Sequence, residues 1–154
     1  MPSLPSSATL AALLRVAFGW LFFYAGLSHL LDPAWSAAAY LSKATSFPGV
    51  FAWLASPDVL PITNTLNAWG LLLVGISLFL GLFVRLGASA GAVLMFLYYL
   101  PILDFPFAGK NGLLVDEHVV YILGLLLLAR MDAGTTFGLD RRWRERRHGR
   151  HAAS

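Results

Sequence analysis

The sequence predicts an all-α integral membrane protein, a bundle of four transmembrane helices with short interfacial helices in the outer connection between the first two. Three observations carry this. Hydrophobic residues make up 58% of the 154 and charged residues only 12%. The mean hydropathy is +0.69. The apolar stretches also reach the roughly 20 residues that a helix needs to cross a bilayer core.

The spans are expected over Leu10 to Leu31, Thr63 to Val84, Leu86 to Leu103 and Leu113 to Arg130, each closed by a charge, a proline or a polar cluster. Only Arg85, Leu86 and Gly87 part the second from the third, so these two form a tight antiparallel hairpin. One membrane domain over residues 1–140 and a basic tail over 141–154 follow. The first segment lacks a basic lead-in and a small-residue cleavage site, and is expected to stay as an anchor.

Six of the eleven Lys and Arg lie in "RRWRERRHGR", residues 141–150. The positive-inside rule assigns such a tail to the cytoplasm, and four spans then put both termini there. The tail reads as an orientation signal with attraction for anionic lipid and not as a nucleic-acid surface. Arg85 falls in the inner hairpin, while Asp32, Asp58, Asp104, Lys43 and Lys110 fall in the outer connections. The outer connection from Asp32 to Ile62 is too long for a bare loop, and "PAWSAAAYLSKA" and "FPGVFAWLAS" read as short helices roofing the bundle.

Polar residues inside such a chain are costly and therefore informative. In the first span Arg15, Gly19, Phe22, Gly26 and His29 recur at steps of three and four and share one face. The glycines admit a neighbouring backbone, and Arg15 either snorkels to inner phosphates or meets a partner or anionic ligand inside the bundle. The second span opens with "NTLNAWG", which puts Asn64 and Asn67 on one face. The third carries "GASAG", a small-residue pattern that permits close helix contact within one subunit or between two, and ends in "YYLPILDFP" with Tyr98 and Tyr99. In "LLVDEHVVY" Asp116 suits a helix cap, while Glu117, His118 and Tyr121 share a face.

His29, Asn64, Asn67, Tyr98, Tyr99, Glu117, His118 and Tyr121 thus come from four spans yet share the outer boundary, and a polar pocket is expected there. Glu117, His118 and Tyr121 are the candidate catalytic groups. His29, Asn64, Asn67, Tyr98, Tyr99 and Arg15 are the candidate ligand contacts. The chain has no cysteine, which excludes disulfides, thiolate nucleophiles, Cys-ligated zinc and iron–sulfur clusters. No metal site is expected.

Three stretches, "LRVAFGWLFFYAGLSHLLDP" at 14–33, "WGLLLVGISLFLGLFVRLGASAG" at 69–91 and "VDEHVVYILGLLLLARMDAGTTFGLDR" at 115–141, resemble the DoxX/DoxD family of small four-helix membrane proteins. Family members frequently carry Lys where this chain has His29. The resemblance implies a prokaryotic plasma membrane and a redox setting, since DoxD is the membrane subunit of a thiosulfate:quinone oxidoreductase that has a second subunit. A quinone would accept hydrogen bonds from Tyr or His and exchange protons through His118 and Glu117. The alternatives are a non-catalytic scaffold that recruits redox enzymes and, behind it, a small carrier or channel. A b-type haem between His29 and His118 is the least favoured reading. Expected partners are membrane lipid, a second redox subunit and a second copy of the chain.

Overall fold

The structure, a computed structural model, describes residues 5–109, 112–131, 133–134 and 138–140. The basic tail, Trp143 and Lys110 lie outside the described residues.

Helix α1, Ser7–Leu31, begins where the Ser6 hydroxyl accepts the Thr9 N–H at 3.2 Å, an N-cap that satisfies one orphan donor of the first turn. Its buried stripe includes Arg15, Phe18, Gly19, Phe22 and Gly26. Two short helices follow, α2, Ala38–Leu41, and α3, Pro48–Leu54. Helix α4, Leu60–Leu80, stops at Gly81, whose φ of 68° a residue with a side chain would resist. Helix α5, Val84–Ile102, starts after a turn of three residues, 81–83, and carries Pro101 in its last turn.

Three two-residue strands, β1 Leu103–Asp104, β2 Phe107–Ala108 and β3 Gly112–Leu113, then form an antiparallel sheet in the order β1-β2-β3. Helix α6, Glu117–Arg130, completes the described helices. Its start corrects the expected one at Leu113. Leu113 is spent on β3, Leu114 takes a left-handed φ of 61°, and the Asp116 carboxylate caps the helix by accepting the His118 and Val119 N–H groups at 3.1 and 3.3 Å.

An all-α bundle of several apolar helices is therefore present, with a six-residue sheet added to it. The expected count of four spans is corrected. Among the described residues three helices, α1, α4 and α5, are long and apolar enough to cross a membrane. The 14 residues of α6 rise roughly 21 Å, short of a hydrocarbon core of about 30 Å. Three candidate crossings among the described residues are an odd number, which overturns the expectation of two cytoplasmic termini.

The core lies where α1 packs on α4 and α6 on α5, the two most extensive helix pairs. Phe22, Leu78, Ala88, Leu125 and Leu128 are wholly buried there. The glycines of α1 serve the approach of backbones. A Cβ on Gly19 would lie within 3.0 Å of Phe79 and Leu78, and one on Gly26 would lie 2.8 Å from the Leu72 Cα. Gly91 of the "GASAG" stretch faces Val74 and Leu125 of the same chain.

Candidate functional site

Polar residues collect at the two ends of the bundle, and the two groups differ in kind. At the end where α1 starts, Arg15 is 1% exposed and donates from Nη1 to the Leu78 carbonyl at 3.0 Å. Asp140, returning from beyond α6, acts electrostatically on Arg15. It also accepts the Phe83 and Val84 N–H groups at 2.8 and 3.1 Å, while its own N–H reaches the Gly81 carbonyl at 2.9 Å. A carboxylate on the first N–H groups of α5 satisfies orphan donors and complements the helix dipole. Of the two sequence-based readings for Arg15, the geometry matches a partnered charge inside the bundle.

At the other end the α2–α3 segment folds over the bundle because polar groups of α4 and α5 hold it. Asn64 Oδ1 accepts the Ala37 N–H at 3.0 Å where α2 starts, and the Thr63 hydroxyl donates to the Leu54 carbonyl at 3.1 Å where α3 ends. The Thr45 N–H and hydroxyl reach the Pro101 and Leu103 carbonyls at 3.1 and 2.9 Å, so this connection caps the C-terminus of α5. The Tyr40 hydroxyl donates to the Tyr98 carbonyl. Beneath α2, Ala37, Leu41 and Phe51 form a small buried cluster of their own.

This roof encloses a cavity of about 400 Å³. Its walls are largely apolar, with Leu41, Phe51, Leu54 and Leu94 among them, and His29, Trp35, Tyr40, Asn67 and Tyr98 converge on it. His29 stacks on Trp35, with ring centroids 3.9 Å apart and planes at 14°. Its Nδ1 is buried and meets no hydrogen-bond partner among the described residues. Tyr98 donates its hydroxyl to Asn67 Oδ1 at 2.8 Å, which fixes that amide's orientation. Leu66 and Leu97, 69% and 50% exposed, stand at the lateral mouth between α4 and α5.

A second cavity, about 450 Å³, is lined by Tyr40, Asp116, Glu117 and His118 together with the β2 and β3 backbone. Here Asp116 Oδ2 lies 2.6 Å from His118 Nδ1. A proton on Nδ1 makes this contact a hydrogen bond to the carboxylate, which orients the ring. The donor atoms of Asp116, Glu117 and His118 lie within 4.8 Å of one another, the one such cluster among the described residues. Both Asp116 oxygens are already engaged, by the cap and by His118.

Tyr40 borders both cavities. Its phenol is pushed up to about 12, by burial first and then by Tyr98, Asp116 and Glu117, so it stays a neutral donor at any ordinary pH. Tyr98 stacks on His118 across a ring distance of 6.1 Å.

The residues singled out from the sequence are thus divided. His29, Asn67 and Tyr98 share the first cavity, Glu117 and His118 the second, and Asn64 ties the roof down. Tyr99 donates to the Leu114 carbonyl at 2.6 Å and secures the loop before α6. Tyr121 packs edge-on against Phe18 with centroids 5.7 Å apart and borders neither cavity. Arg15 stands at the opposite end. Sequence reasoning passed over Trp35, Tyr40 and Thr63 as site residues. For Trp35 and Tyr40 the signal was the aromatic residues interleaved in a segment read as a roof, and for Thr63 its place one residue before Asn64 at the start of the second span.

Residues 10–102 match the family described as DoxX, a stretch that runs from Leu10 in α1 to the end of α5. No curated protein and no solved structure matches this chain.

Proposed function

The chain belongs to the DoxX family, and from that premise we propose that it holds the headgroup of a membrane quinone in the cavity beneath α2, as the membrane subunit of a redox complex. The observation that carries the reading is one cavity of about 400 Å³ that joins an apolar wall, a stacked imidazole and a lateral mouth at Leu66 and Leu97. A soluble polar ligand would not need that mouth. A ring with carbonyl oxygens and a lipid tail would use each feature.

The residue types suit such a ring. An acceptor left unpaired in a buried place costs less than an orphaned N–H, so the His29 proton belongs on Nε2, which then donates to a carbonyl oxygen. The Asn67 amide nitrogen, its oxygen already taken by Tyr98, is a second donor. Trp35 backs the imidazole and keeps its plane fixed. His29 and His118 border different cavities, which favours a site with one imidazole over a bis-histidine haem.

A bound quinone supplies the capacity to take up two electrons and two protons. The electrons come from a donor carried by a second subunit, by resemblance of the thiosulfate-oxidising kind. The protons reach the cavity from its neighbour. His118, oriented by Asp116, and the exposed Glu117 exchange protons with water, and Tyr40 stands between them and the headgroup.

The test is extraction of lipid from protein purified in mild detergent, with mass spectrometry for quinone in wild type and in a His29→Ala, Asn67→Ala variant. A near-stoichiometric quinone lost from the variant supports the reading. Equal trace amounts in both overturn it.

A further inference from the structure

The hairpin partners α4 and α5 are joined by a short turn, yet they pack on each other far less than each packs on its other neighbour. The seam between them holds a groove of about 310 Å³. We propose that this groove holds the polyprenyl tail of the lipid whose headgroup sits in the cavity beneath α2, an inference that rests on the quinone reading.

Register sets cavity and groove in line along the α4–α5 seam. On α4, Leu66 and Asn67 border the cavity, and Leu73, Val74 and Ser77 border the groove. On α5, Leu94, Leu97 and Tyr98 border the cavity, and Leu86, Gly87 and Ala90 the groove. On α5 the two sets run on at steps of one, three and four from Leu86 to Tyr98, a single stripe, and on α4 Gly70 stands between Asn67 and Leu73, three residues from each and on the same face. From Leu97 down to Phe83 the helical rise gives roughly 20 Å of seam, a length for an extended chain and not for a compact ligand.

The lining fits a hydrocarbon. The polar side chain on it is Ser77, and its hydroxyl is spent on the Leu82 carbonyl at 2.7 Å. Gly70 and Ala90 keep side-chain bulk out of the seam, and a Cβ on Gly70 would already touch Leu94 at 3.5 Å. A second copy of the chain is the weaker occupant. The small residues that would admit another helix, Gly87 and Gly91, are already covered by Ser77, Val74 and Leu125 of the same subunit. Bulk phospholipid has no reason to prefer a groove in line with a headgroup cavity.

The test measures affinity by calorimetry in detergent micelles for a decaprenyl benzoquinone and for the same headgroup without its tail. The proteins are wild type, Ala90→Phe, which fills the groove, and Leu86→Ala, which lowers its wall. Both changes lie on exposed positions of α5 and leave the core intact. A tail passing from micelle to groove gains packing and no hydrophobic transfer, so the expected loss is about fivefold for the tailed quinone in Ala90→Phe. A smaller loss in the same sense is expected in Leu86→Ala, with the tail-less quinone unchanged in both.

If both quinones bind both variants as they bind wild type, the groove holds only bulk lipid or a second copy and the inference falls. An equal loss for both quinones overturns it as well. If wild type binds neither quinone, the parent reading fails, a result that differs from each of these.

Discussion

Tyr40 of α2 donates its hydroxyl to the backbone carbonyl of Tyr98 in α5, and their rings meet with centroids 5.7 Å apart. This contact fastens the roof to the bundle and forms the wall between the two cavities. The residue that closes the apolar chamber is therefore also the one that faces the Asp116–His118 pair.

Its titration offers a direct check. The Tyr40 phenol stands at about 12 against an ordinary 10.0. A phenol raised in this way is still neutral in the fold at pH values where the unfolded chain has ionised. Its contribution to stability is full below about pH 10 and is lost as pH rises toward about 12. The phenolate absorbance of wild type minus Tyr40→Phe should show one group titrating in the upper part of that window. The variant's thermal stability should also fall less steeply there. A difference titration centred near pH 10 would show that the roof does not bury Tyr40.

Stability and binding should separate at His29. Phenylalanine keeps a flat ring against Trp35 and removes a buried nitrogen that has no partner among the described residues. Relieving an unsatisfied polar atom is worth about 1 kcal/mol or more, so His29→Phe should unfold at the same temperature as wild type or higher. Quinone retained through purification should drop to background. A variant that is less stable and still retains quinone would show that the imidazole is a packing residue.

Half of this site was legible in the sequence because half of it is set by helical period. His29 follows Gly26 by one turn on the face that meets α4, and Asn67 and Tyr98 lie on the faces of α4 and α5 that meet each other. Spacing puts each on such a face, and the packing of the helices brings the three together. Tyr40 and Trp35 enter through a connection folded back by Asn64 on Ala37 and Thr45 on Leu103, contacts between residues far apart in sequence.

Tyr121 does share a helical face with Glu117 and His118. Period cannot say which neighbour a face meets, however, and its ring meets Phe18. The start of α6 was missed for a related reason, since "LLV" at 113–115 is as apolar in a strand and a left-handed turn as in a helix.

At the opposite end, Asp140→Ala should cost about 1–3 kcal/mol, because it removes the acceptor of the Phe83 and Val84 N–H groups where α5 starts and the carboxylate that acts on Arg15. Asp140→Asn keeps one acceptor for the helix and loses the charge, so it should fall between the two. Thermal unfolding in detergent measures both. Equal stability for Asn and wild type would assign the whole effect to the cap and none to Arg15.

The glycines of the α1–α4 contact should tolerate no side chain. In Gly26→Ala the new Cβ would lie 2.8 Å from both the Ala68 carbonyl and the Leu72 Cα, and in Gly75→Ala 2.8 Å from the Phe23 Cβ. Two of these three neighbours are backbone atoms and the third is a Cβ, none of which can turn aside, so the helices must separate. The expected cost is about 1–3 kcal/mol for each. Because His29 follows Gly26 by one turn and Asn67 precedes Ala68, the separation should also widen the cavity, and Gly26→Ala should lose quinone together with stability. Gly49→Ala, where a Cβ would meet nothing within 4 Å, is the matched control and should be neutral. Unfolding temperatures for the three variants decide the matter. A Gly26→Ala protein as stable as Gly49→Ala would mean that α1 and α4 do not touch through their backbones.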